Sequence, residues 1–190
     1  MWIDFPSTSP SGGGEWLELG GVKGAVSNNI LTDNPQGSAY INWKGHFFAY
    51  SFYDTTNGVH YHEGKVGSAN PTGTHTYQID RDFSASNQTR WRALVDGSVA
   101  YYLTTSSVTS DTSKYSSAVA ISFGIESSDN TYTFTNGTTI DSVYTLPATT
   151  STWTLYQGGT SSLDHDTYNG MASSWQPFDG VNNSASFTHN

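Results

Sequence analysis

Apolar and polar residues alternate with a period of two along most of the chain. Successive side chains of a β-strand point to opposite faces, so this alternation indicates half-buried strands rather than helices. Clusters of Gly, Pro, Asn, Asp and Ser interrupt the pattern at short intervals, as turns do. The predicted strands are Glu15–Lys23, Ala39–Lys44, Phe47–Tyr53, Val59–Glu63, Thr74–Asp80, Arg90–Asp96, Ser98–Thr104, Ala118–Glu126, Thr131–Thr135 and Ile140–Tyr144.

Short strands at this spacing are typical of two packed antiparallel sheets. We therefore predict an all-β protein with one domain over residues 1–190, a two-sheet antiparallel β-sandwich or jelly roll. Residues 145–190 are rich in Gly, Ser, Thr and Asn, with scattered aromatic residues, and we expect them to form a long irregular C-terminal tail that wraps and packs on the sandwich. Asp96-Gly97 predicts a type I′ hairpin turn, which needs positive φ at both central positions.

Composition and charge narrow the range of partners. The net charge is −9, only seven residues are Lys or Arg, and none follows Lys114, so nucleic acid and an anionic membrane surface are not expected as partners. The chain has no apolar run long enough for a transmembrane helix. It has no cysteine, which excludes disulfides, thiolate metal sites and a cysteine nucleophile.

The predicted location is extracellular. Only 12% of residues are charged, and the chain is rich instead in Ser, Thr, Asn and Gly, as secreted β proteins are. No signal peptide is visible, since the first five residues already have the pattern of a strand, and we expect a mature or trimmed chain.

Two glutamates project from predicted strand faces that also carry small residues. In Glu15–Lys23, Leu17 and Leu19 share the core face and Glu18 lies on the other. In Ala118–Glu126 the apolar face carries Val119, Ile121, Phe123 and Ile125. The opposite face carries Ala118, Ala120, Ser122, Gly124 and Glu126. Small residues leave room for a groove, and two carboxylates across a groove can divide the roles of acid and base in hydrolysis. Spacing alone favours the alternative, in which each is a surface glutamate paired with a neighbour.

Aromatic residues and histidines supply the other candidates. Stacking of a polymer substrate is predicted on Trp16, Trp43, Tyr50 and Tyr53, with ordinary sheet packing as an equally weighted alternative. His60 and His62 share a strand face, and His46 and His75 could lie on neighbouring strands. Their spacing matches no metal motif, so we interpret them as surface histidines and predict neither a metal nor a cofactor.

A first resemblance concerns the fold. His75-Thr76-Tyr77-Gln78-Ile79, followed by Trp91-Arg92-Ala93-Leu94-Val95-Asp96-Gly97, resembles the strand-turn-strand signature of concanavalin-like lectins and glucanases. The resemblance implies that the two-sheet antiparallel β-sandwich is a concanavalin-like jelly roll. The glucanase members also carry a Glu-x-Asp-x-(x)-Glu strand. This sequence has none, so the resemblance does not extend to standard glucanase chemistry.

A second resemblance concerns activity. Glu15-Trp16-Leu17-Glu18-Leu19-Gly20-Gly21-Val22-Lys23-Gly24 resembles a strand of uncharacterised secreted bacterial proteins related to the neprosin-type glutamic peptidases. In that group a catalytic glutamate occupies the place of Glu18, and in the fungal eqolisins a glutamine holds the comparable position. Phe123-Gly124-Ile125-Glu126 matches the later strand with the second catalytic glutamate. The resemblance therefore implies a secreted hydrolase that cleaves polypeptide with Glu18 and Glu126 across a concave groove.

Three classes of function follow from these observations. The first is the glutamate-dependent hydrolase, acting on an extended polypeptide or polysaccharide. The second is a carbohydrate-binding or glycan-hydrolysing concanavalin-like module. The third is a structural subunit of a surface or filament, since low charge and abundant Ser and Thr suit assembly.

Overall fold

The computed structural model describes residues 1–6, 15–28, 30, 40–55, 58–82, 90–105, 120–122, 138–141, 144–145, 152–155, 171–176 and 184–189. Nearly all regular structure in these ranges is β-strand, and every strand pairing is antiparallel. The strands are β1 (Trp2–Phe5), β2 (Glu15–Ser27), β3 (Tyr40–Asp54), β4 (Gly58–Ala69), β5 (Tyr77–Arg81), β6 (Arg90–Val95), β7 (Ser98–Thr104), β8 (Ala120–Ser122), β9 (Thr138–Asp141), β10 (Tyr144–Thr145), β11 (Thr154–Leu155), β12 (Met171–Gln176) and β13 (Ser184–His189).

Two compact units divide the chain, residues 1–123 and 124–190. The first unit contains a five-stranded sheet in the order β4-β3-β2-β1-β8 and a three-stranded sheet in the order β5-β6-β7. The prediction of an all-β protein built from antiparallel sheets is confirmed. Within the described ranges no helix has the length and hydrophobicity needed to cross a membrane.

The long strand β3 replaces two predicted strands. Ala39–Lys44 and Phe47–Tyr53 were predicted as separate strands, but the chain continues between them with a β-bulge between Gly45 and His46. Gly45 is required there because the indole of Trp43 lies across it, and a Cβ atom on residue 45 would come within 2.6 Å of Trp43 Nε1. The glycine therefore marks a close packing contact rather than the end of a strand.

One hydrophobic core joins the two sheets of the first unit. Phe5 and Trp91 meet at 5.2 Å between ring centroids, and Phe48 and Tyr101 at 5.1 Å. Leu17 and Leu19 are completely buried in this core, as predicted. The other predicted core residues, Val119, Phe123 and Ile125, lie outside the described residues, and of Ile121 only the register is described: it pairs with Ile3.

The predicted hairpin turn is confirmed. Asp96 has φ of 51° and Gly97 has φ of 76°, so both central residues of the β6–β7 loop are in the left-handed region. Val95 and Ser98 pair across the loop. The right-handed twist of the flanking strands favours this turn type.

The second unit contains more strand than we expected. Residues 145–190 were predicted to be irregular, yet β12 and β13 pair in register over six residues, and β13 also pairs with β9. The prediction failed because Gly, Ser, Thr and Asn suggest loops by composition, whereas backbone hydrogen bonds form the ladder whatever the side chains are. Whether residues 1–190 form one domain with a docked tail stays a prediction.

Candidate functional site

Glu18 lies on the face of the five-stranded sheet that points away from the core, here called the outer face. On β2, Leu17 and Leu19 are fully buried, while Trp16 and Glu18, which alternate with them, are partly exposed. Strand register decides which residues of the neighbouring strands lie directly beside Glu18, in a row across the sheet. Directly paired residues share a face, so the Glu18 row runs Trp2, Glu18, Ala49 and Glu63 over four adjacent strands.

An aromatic pair lies in the neighbouring row of the outer face. This row runs Asp4, Trp16, Ser51 and Tyr61. The rings of Trp16 and Tyr61 meet edge to face at 5.8 Å, and Ser51 between them is only 6% exposed. The hydroxyl of Tyr61 donates a hydrogen bond of 2.8 Å to Glu63 Oε2. Trp16, Tyr61 and Glu63 therefore form one connected surface beside Glu18.

Among the residues that the structure describes, three carboxylates share the outer face, namely Asp4, Glu18 and Glu63, and Asp4 and Glu18 are the closest pair in register. Asp4 is the diagonal cross-strand neighbour of Glu18, a relation that corresponds to about 7–8 Å between Cα atoms. Burial raises the pKa of Asp4 above its usual range. Glu63 lies two strands away from Glu18, about 9–10 Å by the spacing of strands. Ala49, which separates them in register, is completely buried.

The predicted substrate-binding aromatic residues do not all lie on this face. Trp16 and Tyr53 do, and both are partly exposed. Tyr50 does not: it is 4% exposed, belongs to the core and stacks on His62 at 4.6 Å. The assignment of Tyr50 to the same binding surface as Glu18 is therefore wrong, because Tyr50 alternates with Ala49 and Ser51 along β3 and points into the core with Phe48 and Phe52.

Trp43 is held in place on the outer face by three contacts. Its indole lies across Gly45, and its Nε1–H donates to the carbonyl oxygen of His46 at 3.1 Å. The ammonium group of Lys65 lies 5.1 Å from its ring centroid, in cation–π geometry. One face of the ring is thus already occupied. Glu126, the second predicted catalytic residue, lies outside the described residues, so its pairing with Glu18 stays a prediction.

The histidines are less exposed than we expected. His46 is 3% exposed and His62 is 6% exposed, so the interpretation of these two as surface histidines is wrong. Nδ1 of His62 lies 3.1 Å from the carbonyl oxygen of Ile30. His46 lies on β3, next to the β4 strand of His60 and His62, whereas His75 precedes β5 of the three-stranded sheet; the ring centroids of His46 and His75 are 4.9 Å apart. Among the described residues, no group of three or more His, Cys, Asp or Glu is arranged to hold a metal.

Sequence reasoning missed Asp4, Tyr61 and Glu63 as members of the outer face. The spacing of Tyr61 and Glu63 could have been used, because residues two apart on a strand share a face. The position of Tyr61 and Glu63 opposite Ser51 and Ala49 could not have been predicted from the sequence, because it depends on the register of β3 with β4. Also missed was Glu15, which lies on the core face, is 1% exposed and accepts a hydrogen bond of 2.8 Å from the backbone N–H of Tyr53.

Comparison with known proteins adds no relative: the chain matches no protein-family model, no curated protein and no solved structure. The resemblance to glutamic peptidases therefore stays a prediction that depends on the Glu18 strand and the Glu126 strand.

Proposed function

We propose that the outer face of the five-stranded sheet binds an extended polypeptide and hydrolyses it with Glu18 and Asp4 as an acid–base pair. The observation that carries the proposal is the position of Asp4, with its raised pKa, diagonally beside Glu18 on one sheet face. Two carboxyl groups of which one keeps its proton more readily can divide the roles of acid and base. The concanavalin-like jelly roll and the extracellular location belong to the same proposal.

The chemistry requires only water and the two carboxyl groups. The oxygen of a water attacks the scissile carbonyl carbon while ionised Glu18 takes one of its protons. Protonated Asp4 gives its proton to the amide nitrogen as the C–N bond breaks, which yields a carboxylic acid and an amine. Transfer of the proton from Glu18 through solvent to Asp4 restores the starting state.

The remaining groups of the outer face suit substrate binding. The edge-to-face pair of Trp16 and Tyr61 offers an aromatic surface next to Glu18, and Glu63 offers a carboxylate already oriented by Tyr61. The net charge of −9 disfavours acidic substrates and favours neutral or basic ones. Glu126 stays the alternative partner of Glu18 that the sequence suggests.

Turnover measurements on single variants test the proposal. An unfolded protein substrate is incubated with the wild type and with Glu18→Gln, Asp4→Asn, Glu63→Gln and Glu126→Gln. We expect Glu18→Gln and Asp4→Asn each to lower kcat at least about 100-fold, the usual size of a general acid or base contribution. The kcat of the double variant should be no lower than that of the less active single variant, because the two groups act as a unit.

Each other outcome has a defined meaning. If Glu126→Gln abolishes turnover and Asp4→Asn does not, the pair is Glu18 and Glu126, as the sequence resemblance implies. If Glu63→Gln raises KM and leaves kcat unchanged, Glu63 binds substrate. If the wild type cleaves neither polypeptides nor polysaccharides, the hydrolase proposal is wrong.

A polymer-binding module without chemistry is the second candidate, and the Trp16–Tyr61 pair supports it. Aromatic rings at the surface of a sheet stack on sugar rings as readily as they line a peptide site. On an affinity gel of immobilised glycan, retention should then fall in Trp16→Ala and stay unchanged in Glu18→Gln. Equal retention of wild type and Trp16→Ala would count against this candidate.

A further inference from the structure

A four-residue polar cluster joins the two sheets of the first unit at a point the proposed function does not use. His46 belongs to β3 of the five-stranded sheet. In the three-stranded sheet, Tyr77 is the first residue of β5, His75 precedes this strand, and Asp96 lies in the β6–β7 turn. Nδ1 of His46 shares a hydrogen bond of 3.0 Å with the hydroxyl of Tyr77. Nδ1 of His75 donates to Asp96 Oδ2 at 2.8 Å. The rings of the two histidines meet edge to face at 4.9 Å.

The turn that carries Asp96 is tied into this cluster by its backbone as well. Asp96 Oδ1 accepts a hydrogen bond of 2.9 Å from Thr76 N–H, and Asp96 N–H donates to the carbonyl oxygen of Thr76 at 2.9 Å. Tyr77 reaches the five-stranded sheet closely, since a Cβ on Gly21 would lie 3.2 Å from its hydroxyl oxygen. The cluster thus holds the Asp96 turn and the start of β5 against β3.

We propose that His46, His75, Tyr77 and Asp96 form an acid-sensitive latch between the two sheets. A proton on His46 places a cation within 4.9 Å of a second imidazole, in a site where His46 is only 3% exposed. Two imidazolium rings at this separation repel each other, and the screening by water is weak for a buried group. Separation of His46 from His75 relieves this repulsion, so proton uptake favours a state in which this end of the core is open.

The charges around His46 support the direction of the effect. Burial, and then the neighbouring His75, lower the pKa of His46, and together they outweigh the opposing charge of Asp96. The neighbours of His46 in register on β2 and β4 are Gly21 and Val66, which carry no charge. A histidine with a lowered pKa binds fewer protons in the closed state than in the open one. The latch is therefore stable above the ordinary histidine value of about 6.5 and weakens as pH falls below it.

Asp96 affects the stability of the latch in a separate pH range, below that of His46. The hydrogen bond with His75, and then the one from Thr76 N–H, lower the pKa of Asp96. A carboxylate of this kind stabilises the folded state above its unfolded value of about 3.9 and loses that contribution in stronger acid. Opening between pH 7 and pH 5 therefore reports on His46 and not on Asp96.

Hydrogen exchange followed by mass spectrometry tests the latch directly. Exchange of the full chain is compared at about pH 7.5 and about pH 5.5, with correction for the intrinsic rates. Thr76 N–H donates to the Asp96 carboxylate and Asp96 N–H to the Thr76 carbonyl oxygen. These two amides should open more often at the lower pH, at most about tenfold per pH unit for one coupled proton. Amides in the β2–β3 ladder should not change.

Variants separate the latch from a general acid response. His46→Phe keeps an aromatic ring and cannot take up a proton, so the pH response of Thr76 and Asp96 should disappear. His75→Gln should reduce it too, and this variant serves if His46→Phe does not fold. His60→Gln, a histidine of β4 outside the cluster, should respond as the wild type does. The latch is disproved if wild-type protection at these amides is equal at both pH values, or if both cluster variants keep the wild-type response.

Discussion

Two neighbouring phenylalanines on β3 test the assignment of the sheet faces on which the site depends. Phe48 is 1% exposed and lies in the core, with ring centroids 5.1 Å from Tyr101 and 6.2 Å from Tyr50. Phe47 lies on the outer face, is partly exposed and packs over Gly20, where an added Cβ would come within 3.3 Å of its ring. Alanine at the two positions removes the same atoms from opposite faces of one strand.

The expected costs differ because the surroundings differ. Phe48→Ala removes a ring that contacts both sheets and leaves a cavity, which should lower the free energy of unfolding by about 3–5 kcal/mol. Phe47→Ala leaves a space that water can reach, and we expect a loss on the order of 1 kcal/mol. Urea unfolding measures both changes. With a denaturant slope of about 2 kcal/mol per M, the midpoint should fall by about 2 M for Phe48→Ala and by about 0.5 M for Phe47→Ala.

Equal losses for the two variants would refute the face assignment. So would a loss below about 1 kcal/mol for Phe48→Ala, since no fully buried phenylalanine at a two-sheet interface is removed that cheaply. In either case Glu18, Asp4 and Trp16 could not be assigned to a common outer face by alternation, and the proposed site would lose its basis.

Two further predictions concern other parts of the chain. Phe123→Ala should cost about 3–5 kcal/mol in urea unfolding if residue 123 belongs to the apolar face that the sequence predicts, and a change below about 1 kcal/mol would place that face elsewhere. Gly97→Ala should cost about 1–2 kcal/mol, because an L-residue is strained at φ of 76°; an unchanged melting temperature would show that the turn relaxes to another type.

The sequence predicted the strands well where alternation had a single interpretation. Leu17 and Leu19 could be assigned to the core because they alternate with Trp16 and Glu18, and the β6–β7 turn could be assigned because Asp-Gly suits two positive φ values. Tyr50 was assigned wrongly because an aromatic residue fits both a core and a binding surface, and only its alternation with Ala49 and Ser51 decides between them.

The candidate site was less predictable because it depends on which strands are neighbours. Nothing local relates Asp4 to Glu18, or Glu63 to Ala49, since these relations arise from pairing between separate segments. The same holds for the His46 cluster, which joins two sheets through residues about 30 and 50 positions apart. Pairings of this range follow from the whole fold and not from any one segment.

The central claim, that the outer face around Glu18 is the substrate site, is tested most directly by nuclear magnetic resonance on the indole N–H groups. The chain has six tryptophans, and Trp16→Phe identifies the signal of Trp16. The inactive Glu18→Gln variant is titrated with oligopeptides from a polypeptide that the wild type cleaves. We predict a saturable shift of the Trp16 signal and no shift of Trp91, which is 5% exposed in the core. Saturable binding that leaves the Trp16 signal unmoved would contradict the claim.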